Sequence, residues 1–163
     1  MNVLEFKHKV SDDLLQKLRQ AVMSVSFESY VTAKGNRVWL EWADASSVDA
    51  SELLALVPFK PNRQGFTRFA ANGFINVHVD DKLNRSSCLS VALLPELENF
   101  APVNYHDSLD LDARITETYH YNRHPIILNT KNPHSMVNND HDRYMLQIQY
   151  AEDISEFVKY ARS

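Results

Sequence analysis

The chain has 163 residues and one cysteine, Cys88, a length that a single hydrophobic core can stabilise and a cysteine count that excludes an internal disulfide or a multi-cysteine zinc centre. Hydrophobic residues make up 44% and charged residues 23%, the balance of an ordered globular chain rather than a disordered or membrane-embedded one. A net charge of −4 gives no electrostatic reason to expect nucleic acid or an anionic membrane as a partner.

The N-terminal stretch MNVLEFKHKVSDD has no apolar run of signal-peptide length, and no window approaches a membrane helix. The expected compartment is the cytoplasm. The spacing predicts a helix over 11–25, with Ser11 as N-cap, aspartates in the first turn, and Leu14, Leu15, Leu18, Ala21, Val22 and Val25 on one stripe. A strand, RVWLEW (37–42), follows the turn signal Lys34-Gly35-Asn36. Residues 46–57 read as a short second helix stopped by Pro58, and 59–65 as a loop.

From residue 68 the pattern becomes short strands: GFINVHVD, SSCLSVALL, ITETYHY, PIILNT, HSMVN and RYMLQIQY. Polar or Pro-containing turns separate them, which argues for a sandwich or barrel and against parallel βαβ units. Cys88 lies in an apolar run and reads as a small buried hydrophobe. Ile154, Phe157, Val158 and Ala161 have helical spacing, so a C-terminal helix is expected within 151–163. The chain reads as a single domain, 1–163, in which an N-terminal part (1–67) packs on a β core (68–150).

NVHVDD (76–81) sets a histidine and an aspartate in a strand-forming run. Period two puts Asn76, His78 and Asp80 on one face and Ile75, Val77 and Val79 on the other. An imidazole and a carboxylate projecting side by side into a core need hydrogen bonds or a cation. A metal needs at least one ligand more, and the other histidines are His8, His106, His120, His124, His134 and His141. His8 and His141 read as surface residues. Pro125 and the strand-like neighbours of His120 and His124 remove the helical meaning of their spacing. His134 follows Pro133 at the start of a strand and precedes Arg143 by nine positions. Asp81 is the competing carboxylate, on the opposite face under strict alternation.

His78-Val79-Asp80, a distal His134 in LNTKNPHSMVNNDHDR, and then Arg143 resemble the motif set of the iron(II)- and 2-oxoglutarate-dependent oxygenases. Residues Pro125–Ile148 are similar to the aspartyl/asparaginyl-hydroxylase-like branch and to small bacterial and phage members. The resemblance spans residues 74–150. It implies a mainly β fold with flanking helices, the double-stranded β-helix or cupin-like jelly roll. By the same resemblance, His78, Asp80 and His134 hold Fe(II), and 2-oxoglutarate and O2 are cosubstrates. Arg143 takes the far carboxylate of 2-oxoglutarate, with Arg85 as second candidate, while Asn129 and Thr130 orient ligands. Period two also predicts Arg143, Met145 and Gln147 on one face of the last strand, opposite Tyr144, Leu146 and Ile148.

The implied activity is C–H hydroxylation of a small molecule or peptide side chain. Two alternatives stay open: a cupin-like metal enzyme that does not use 2-oxoglutarate, and a non-catalytic β-barrel binding module. Substrate contacts are expected from KPNRQGFTR (60–68) and from 95–114, where Glu96, Glu98, Asp107, Asp110 and Asp112 read mainly as a solvated loop.

Overall fold

The computed structural model describes residues 1–31, 37–80 and 85–163. The predicted turn Lys34-Gly35-Asn36 and the competing carboxylate Asp81 lie outside the described residues. Helix α1 (Asp12–Val22) starts where expected: the Ser11 hydroxyl accepts from the Leu14 amide at 3.2 Å, and Leu14, Leu15, Leu18 and Val22 are buried. It ends before Val25 because the Ser24 amide and hydroxyl both turn back onto the Ala21 carbonyl, at 3.1 and 2.9 Å.

The expected helix over 46–57 is reduced to one turn, α2 (Ser51–Leu54). The Asp49 carboxylate takes the Ser51 amide at 3.0 Å, and the Ala45 amide is tied to the Gln64 carbonyl at 3.1 Å. These side-chain and sheet contacts hold the preceding residues in turns. Helix α3 (Ile154–Ala161) occupies the C-terminal segment and buries Ile154, Phe157 and Ala161.

The strands are β1 (Val3–Glu5), β2 (Glu28–Val31), β3 (Arg37–Asp44), β4 (Arg63–Phe69), β5 (Phe74–His78), β6 (Ser87–Leu94), β7 (Val103–His106), β8 (Ile115–Tyr119), β9 (Ile126–Asn129), β10 (His134–Val137) and β11 (Arg143–Tyr150). They form a seven-stranded sheet, β1-β9-β6-β11-β4-β3-β2, and a four-stranded sheet, β5-β10-β7-β8. From β4 onward the chain crosses to the other sheet at every connection except that between β7 and β8. This crossing makes a jelly roll, in which each sheet collects strands distant in sequence.

Strands β1, β2, β4 and β7 carry no local pattern that distinguishes them. β4 is the instructive case, since the loop expected over 59–65 ends at Asn62 and the strand begins at Arg63. Two arginines and a glycine spoil its alternation, yet it is held between β3 and β11. Arg68 bridges both neighbours, reaching Glu41 at 3.0 Å and Asp142 at 2.8 Å. Gly65 is required there: a Cβ would lie 1.9 Å from the Trp42 ring that crosses it.

Alternation along β11 divides the core. Leu146, Ile148 and Tyr150 join Leu89, Val91, Leu93, Ile127 and Phe66 beneath α1 and α3. Met145 faces the other way, into a cluster with Ala92, Phe100, Val103, Tyr105, Tyr121, Ile126 and Leu128 between the sheets.

Candidate metal centre

His78 on β5 and His134 on β10 are direct antiparallel partners, with ring centroids 4.3 Å apart. Asp80, just past β5, points a carboxylate oxygen to 3.5 Å from His78 Nε2. One donor atom from each of these side chains lies within 4.8 Å of the others, and no other such trio occurs among the described residues. The Asp80 amide donates to the Thr130 carbonyl at 2.8 Å, tying the end of β5 to the turn that leads to His134.

Both imidazoles are oriented from behind. His78 Nδ1 lies 2.9 Å from the Asn76 carbonyl and His134 Nδ1 lies 2.8 Å from the Asn132 carbonyl. A carbonyl oxygen only accepts, so each Nδ1 carries the hydrogen and each Nε2 presents a lone pair. Burial, and then the neighbouring His78 ring, push the pKa of His134 below its ordinary value, which favours the neutral ring a metal requires.

Strict alternation along β5 does not hold. Ile75 lines the same cavity as His78 and Asp80, although period two assigns it to the opposite face. A register shift explains this: His134 pairs with His78 but Met136 pairs with Ile75, so β5 carries an extra residue against β10. Such a bulge rotates the strand locally and brings the Asn76 carbonyl under the His78 ring.

The trio opens onto a cavity of about 320 Å³, whose wall also includes Arg143, Arg85, Thr130, Cys88 and Gln149. Arg143 is 2% exposed. One guanidinium nitrogen donates to the Ala101 carbonyl at 2.9 Å; the other lies 3.4 Å from the Tyr121 hydroxyl and 3.0 Å from the sulfurs of Met136 and Met145. Phe100 and Tyr121 stack near it, with ring centroids 4.8 and 5.0 Å from its central carbon. Its Nε has no protein partner. The adjacent carboxylate, Asp142, is turned to Arg68 and the Ala71 amide instead. Burial lowers the pKa of Arg143, but a guanidinium stays charged at any ordinary pH. Arg143 is therefore a buried cation in a cavity wall with no carboxylate beside it among the described residues.

Asn129 does not share this position. Its side chain donates to the Met1 carbonyl at 3.1 Å and accepts the Lys131 amide at 3.1 Å, on the side away from the cavity. Alternation makes the next residue the inward one: Thr130 lines the cavity, 5% exposed, with its hydroxyl unpartnered. Arg85 lines the cavity too, as does Arg63. His106 is taken up by Ser135 at 2.7 Å and the Ala113 carbonyl at 3.0 Å, and His124 by the Phe6 carbonyl at 2.8 Å. His120, His8 and His141 are exposed. Sequence reasoning did not single out Gln149 or Ser87 as cavity residues; continuing the β11 alternation by one step reaches Gln149.

No protein-family model and no curated protein sequence matches this chain. Solved structures do match. A prolyl hydroxylase from Trichoplax adhaerens, in complex with a hypoxia inducible factor oxygen degradation domain peptide fragment, matches with a TM-score of 0.61 at 10% identity, covering 97% of this chain and 86% of that one. A prolyl-4-hydroxylase from Pseudomonas putida gives a TM-score of 0.55 at 14% identity, covering 91% of each chain. HygX from Streptomyces hygroscopicus, with nickel, 2-oxoglutarate and hygromycin B bound, gives 0.61 at 10% identity, covering 91% of this chain and 82% of that one.

The chain has the double-stranded β-helix fold of these proteins. In this double-stranded β-helix the four-stranded sheet carries both histidines, and the seven-stranded sheet carries Arg143. The mouth between the two sheets is where such a fold supports a ligand site.

Proposed function

We propose that this protein is an iron(II)- and 2-oxoglutarate-dependent oxygenase that hydroxylates an unactivated C–H bond of a small molecule or a peptide side chain. One atom of dioxygen would enter the substrate and the other succinate, with carbon dioxide released. The observation that carries this reading is one cavity holding both a two-histidine, one-carboxylate trio and a buried guanidinium with no carboxylate partner among the described residues. That donor set suits iron(II) with adjacent positions left open, and the guanidinium suits a dicarboxylate cosubstrate. Enzymes of similar fold supply the analogy, which is one of fold.

Bound iron(II), with 2-oxoglutarate and dioxygen, would supply the oxidant for the C–H bond. The work of the chain is placement. His78 and His134 present Nε2 because backbone carbonyls hold the hydrogens of their Nδ1 atoms, and Asp80 adds the negative donor. Arg143 would draw the far carboxylate of 2-oxoglutarate into the space walled by Met136, Met145 and Tyr121, where exclusion of water strengthens the pairing. Tyr121 stays a neutral phenol, since burial raises its pKa. Thr130 and Arg85 are further polar groups on the same wall.

A cupin-like enzyme independent of 2-oxoglutarate is the second reading. Added histidine ligands would favour it, but His106 and His124 are occupied by hydrogen bonds elsewhere, and the first reading uses Arg143. Anaerobic addition of iron(II) and then 2-oxoglutarate distinguishes the two. A weak visible charge-transfer band, lost in His134→Ala, followed by succinate formation in air, is the expected result. Iron retention with no 2-oxoglutarate binding would favour the second reading; well-folded protein that binds neither would leave a non-catalytic barrel.

A further inference from the structure

The cavity is also polar at the end remote from Arg143. Gln149 lies on the same wall as Arg143, and at about 3.4 Å per residue it stands roughly 20 Å farther along the strand. It pairs with Cys88 on β6, beside Ser87, and Arg85, two residues before Ser87, lines the same cavity. Gln147 pairs with Gly65, and Trp42 crosses that glycine. The metal trio lies between the two ends: His134 is two residues from Met136, whose sulfur is 3.0 Å from Arg143, and Asp80 is bonded to Thr130, whose amide donates to the Ser86 carbonyl at 3.3 Å.

Several polar groups here have no protein partner. Trp42 Nε1 and Ser87 Oγ are buried and unpaired. Gln149 is 5% exposed and its side-chain amide makes no hydrogen bond with a described residue. Buried polar groups are almost always satisfied, so this cluster is built to meet a ligand. Charge then selects the ligand. Among the described residues lining the cavity, Asp80 is the one carboxylate, against Arg63, Arg85 and Arg143. Iron(II), Asp80, Arg143 and the two carboxylates of 2-oxoglutarate sum to zero, and Arg85 makes no ion pair with a described residue. It is left to attract an anion, and among the described residues lining the cavity no second carboxylate is present to receive an ammonium.

We propose that this end is the substrate subsite and that the substrate is a small aliphatic carboxylate without a free ammonium group. Arg85 takes the carboxylate, and the Trp42 indole N–H and the Gln149 amide take the remaining acceptors. A cavity of about 320 Å³ that also receives 2-oxoglutarate is at the small end of ligand sites, which restricts the occupant to roughly amino-acid size. The inference rests on the oxygenase reading above.

The test uses protein loaded with Mn(II) and saturating 2-oxoglutarate, with isovalerate, isovaleramide and isopentylamine as probes of similar skeleton. Paramagnetic broadening of their methyl proton signals measures occupancy near the metal without turnover. Isovalerate is expected to broaden at concentrations about tenfold below the other two, the discrimination of one charge-assisted contact. Arg85→Gln should abolish that preference, and Trp42→Phe, which keeps an aromatic body, should weaken isovalerate binding severalfold; Gln149→Leu is the further variant if either misfolds. Equal broadening by the three probes, competition of isovalerate with 2-oxoglutarate, or an Arg85→Gln defect in 2-oxoglutarate affinity instead would overturn the inference and leave the oxygenase reading intact. Failure of Mn(II) and 2-oxoglutarate themselves to bind would overturn both.

Discussion

Arg143 is the residue whose environment is hardest to explain as structure alone. A guanidinium lodged among Phe100, Tyr121, Met136 and Met145 carries a desolvation cost that one carbonyl acceptor does not offset. Arg143→Met is therefore expected to leave the ligand-free protein at least as stable as the parent in urea unfolding, while 2-oxoglutarate affinity falls by tenfold or more. A purely structural arginine would instead lose about 3–5 kcal/mol on removal. Cys88 behaves oppositely. Burial pushes its thiol up to about 12, so the folded protein should resist iodoacetamide at pH 8 and react only on unfolding. The folded pKa is raised above the ordinary 9.0, so the contribution of Cys88 to stability is complete below pH 9 and is lost as pH climbs toward 12.

At the level of elements, the arrangement depends on how β10 is joined to β11. Asn138, 6% exposed, directs its amide at the carbonyls of Phe69, Ala70 and His141, at 2.9, 2.9 and 2.8 Å. It fixes the turn between the strand that starts with His134 and the strand that starts with Arg143. Asn138→Ala removes these three contacts and should cost about 1–3 kcal/mol, read as a lower urea midpoint. Because the turn sets the offset of both strands, the same variant should bind Mn(II) and 2-oxoglutarate more weakly than the parent. The bulge in β5 is the second device of this kind, since it turns Ile75 and His78 to one cavity.

For the whole molecule, the site draws on both sheets, with the histidines on β5 and β10 of one and Arg143 on β11 of the other, so binding there should be felt as global stability. At a free ligand concentration 100 times Kd, a bound ligand adds about 2.7 kcal/mol. Thermal melts with Mn(II) and 2-oxoglutarate should rise accordingly, and His134→Ala should lose the increment while keeping its helical and strand signals. The outer helices α1 and α3 cover the other face of the seven-stranded sheet and take no part in the cavity wall. No helix among the described residues is long and apolar enough to cross a membrane.

Features that depend on nearest neighbours along the chain were legible from the residues alone. The α1 stripe and the alternation that sends Arg143 inward along β11 follow from periods of 3.6 and 2, while the His78, Asp80 and His134 set was legible as a motif resemblance. Features set by strands from elsewhere were not. Whether Asn129 or Thr130 faces the cavity, where the β5 bulge falls, that 63–69 forms a strand, and that Asp142 turns away from Arg143 were decided by registry between segments far apart in sequence. Local propensity spans only a few residues, whereas the hydrogen-bond ladder and the burial of each face are properties of the assembled sheets.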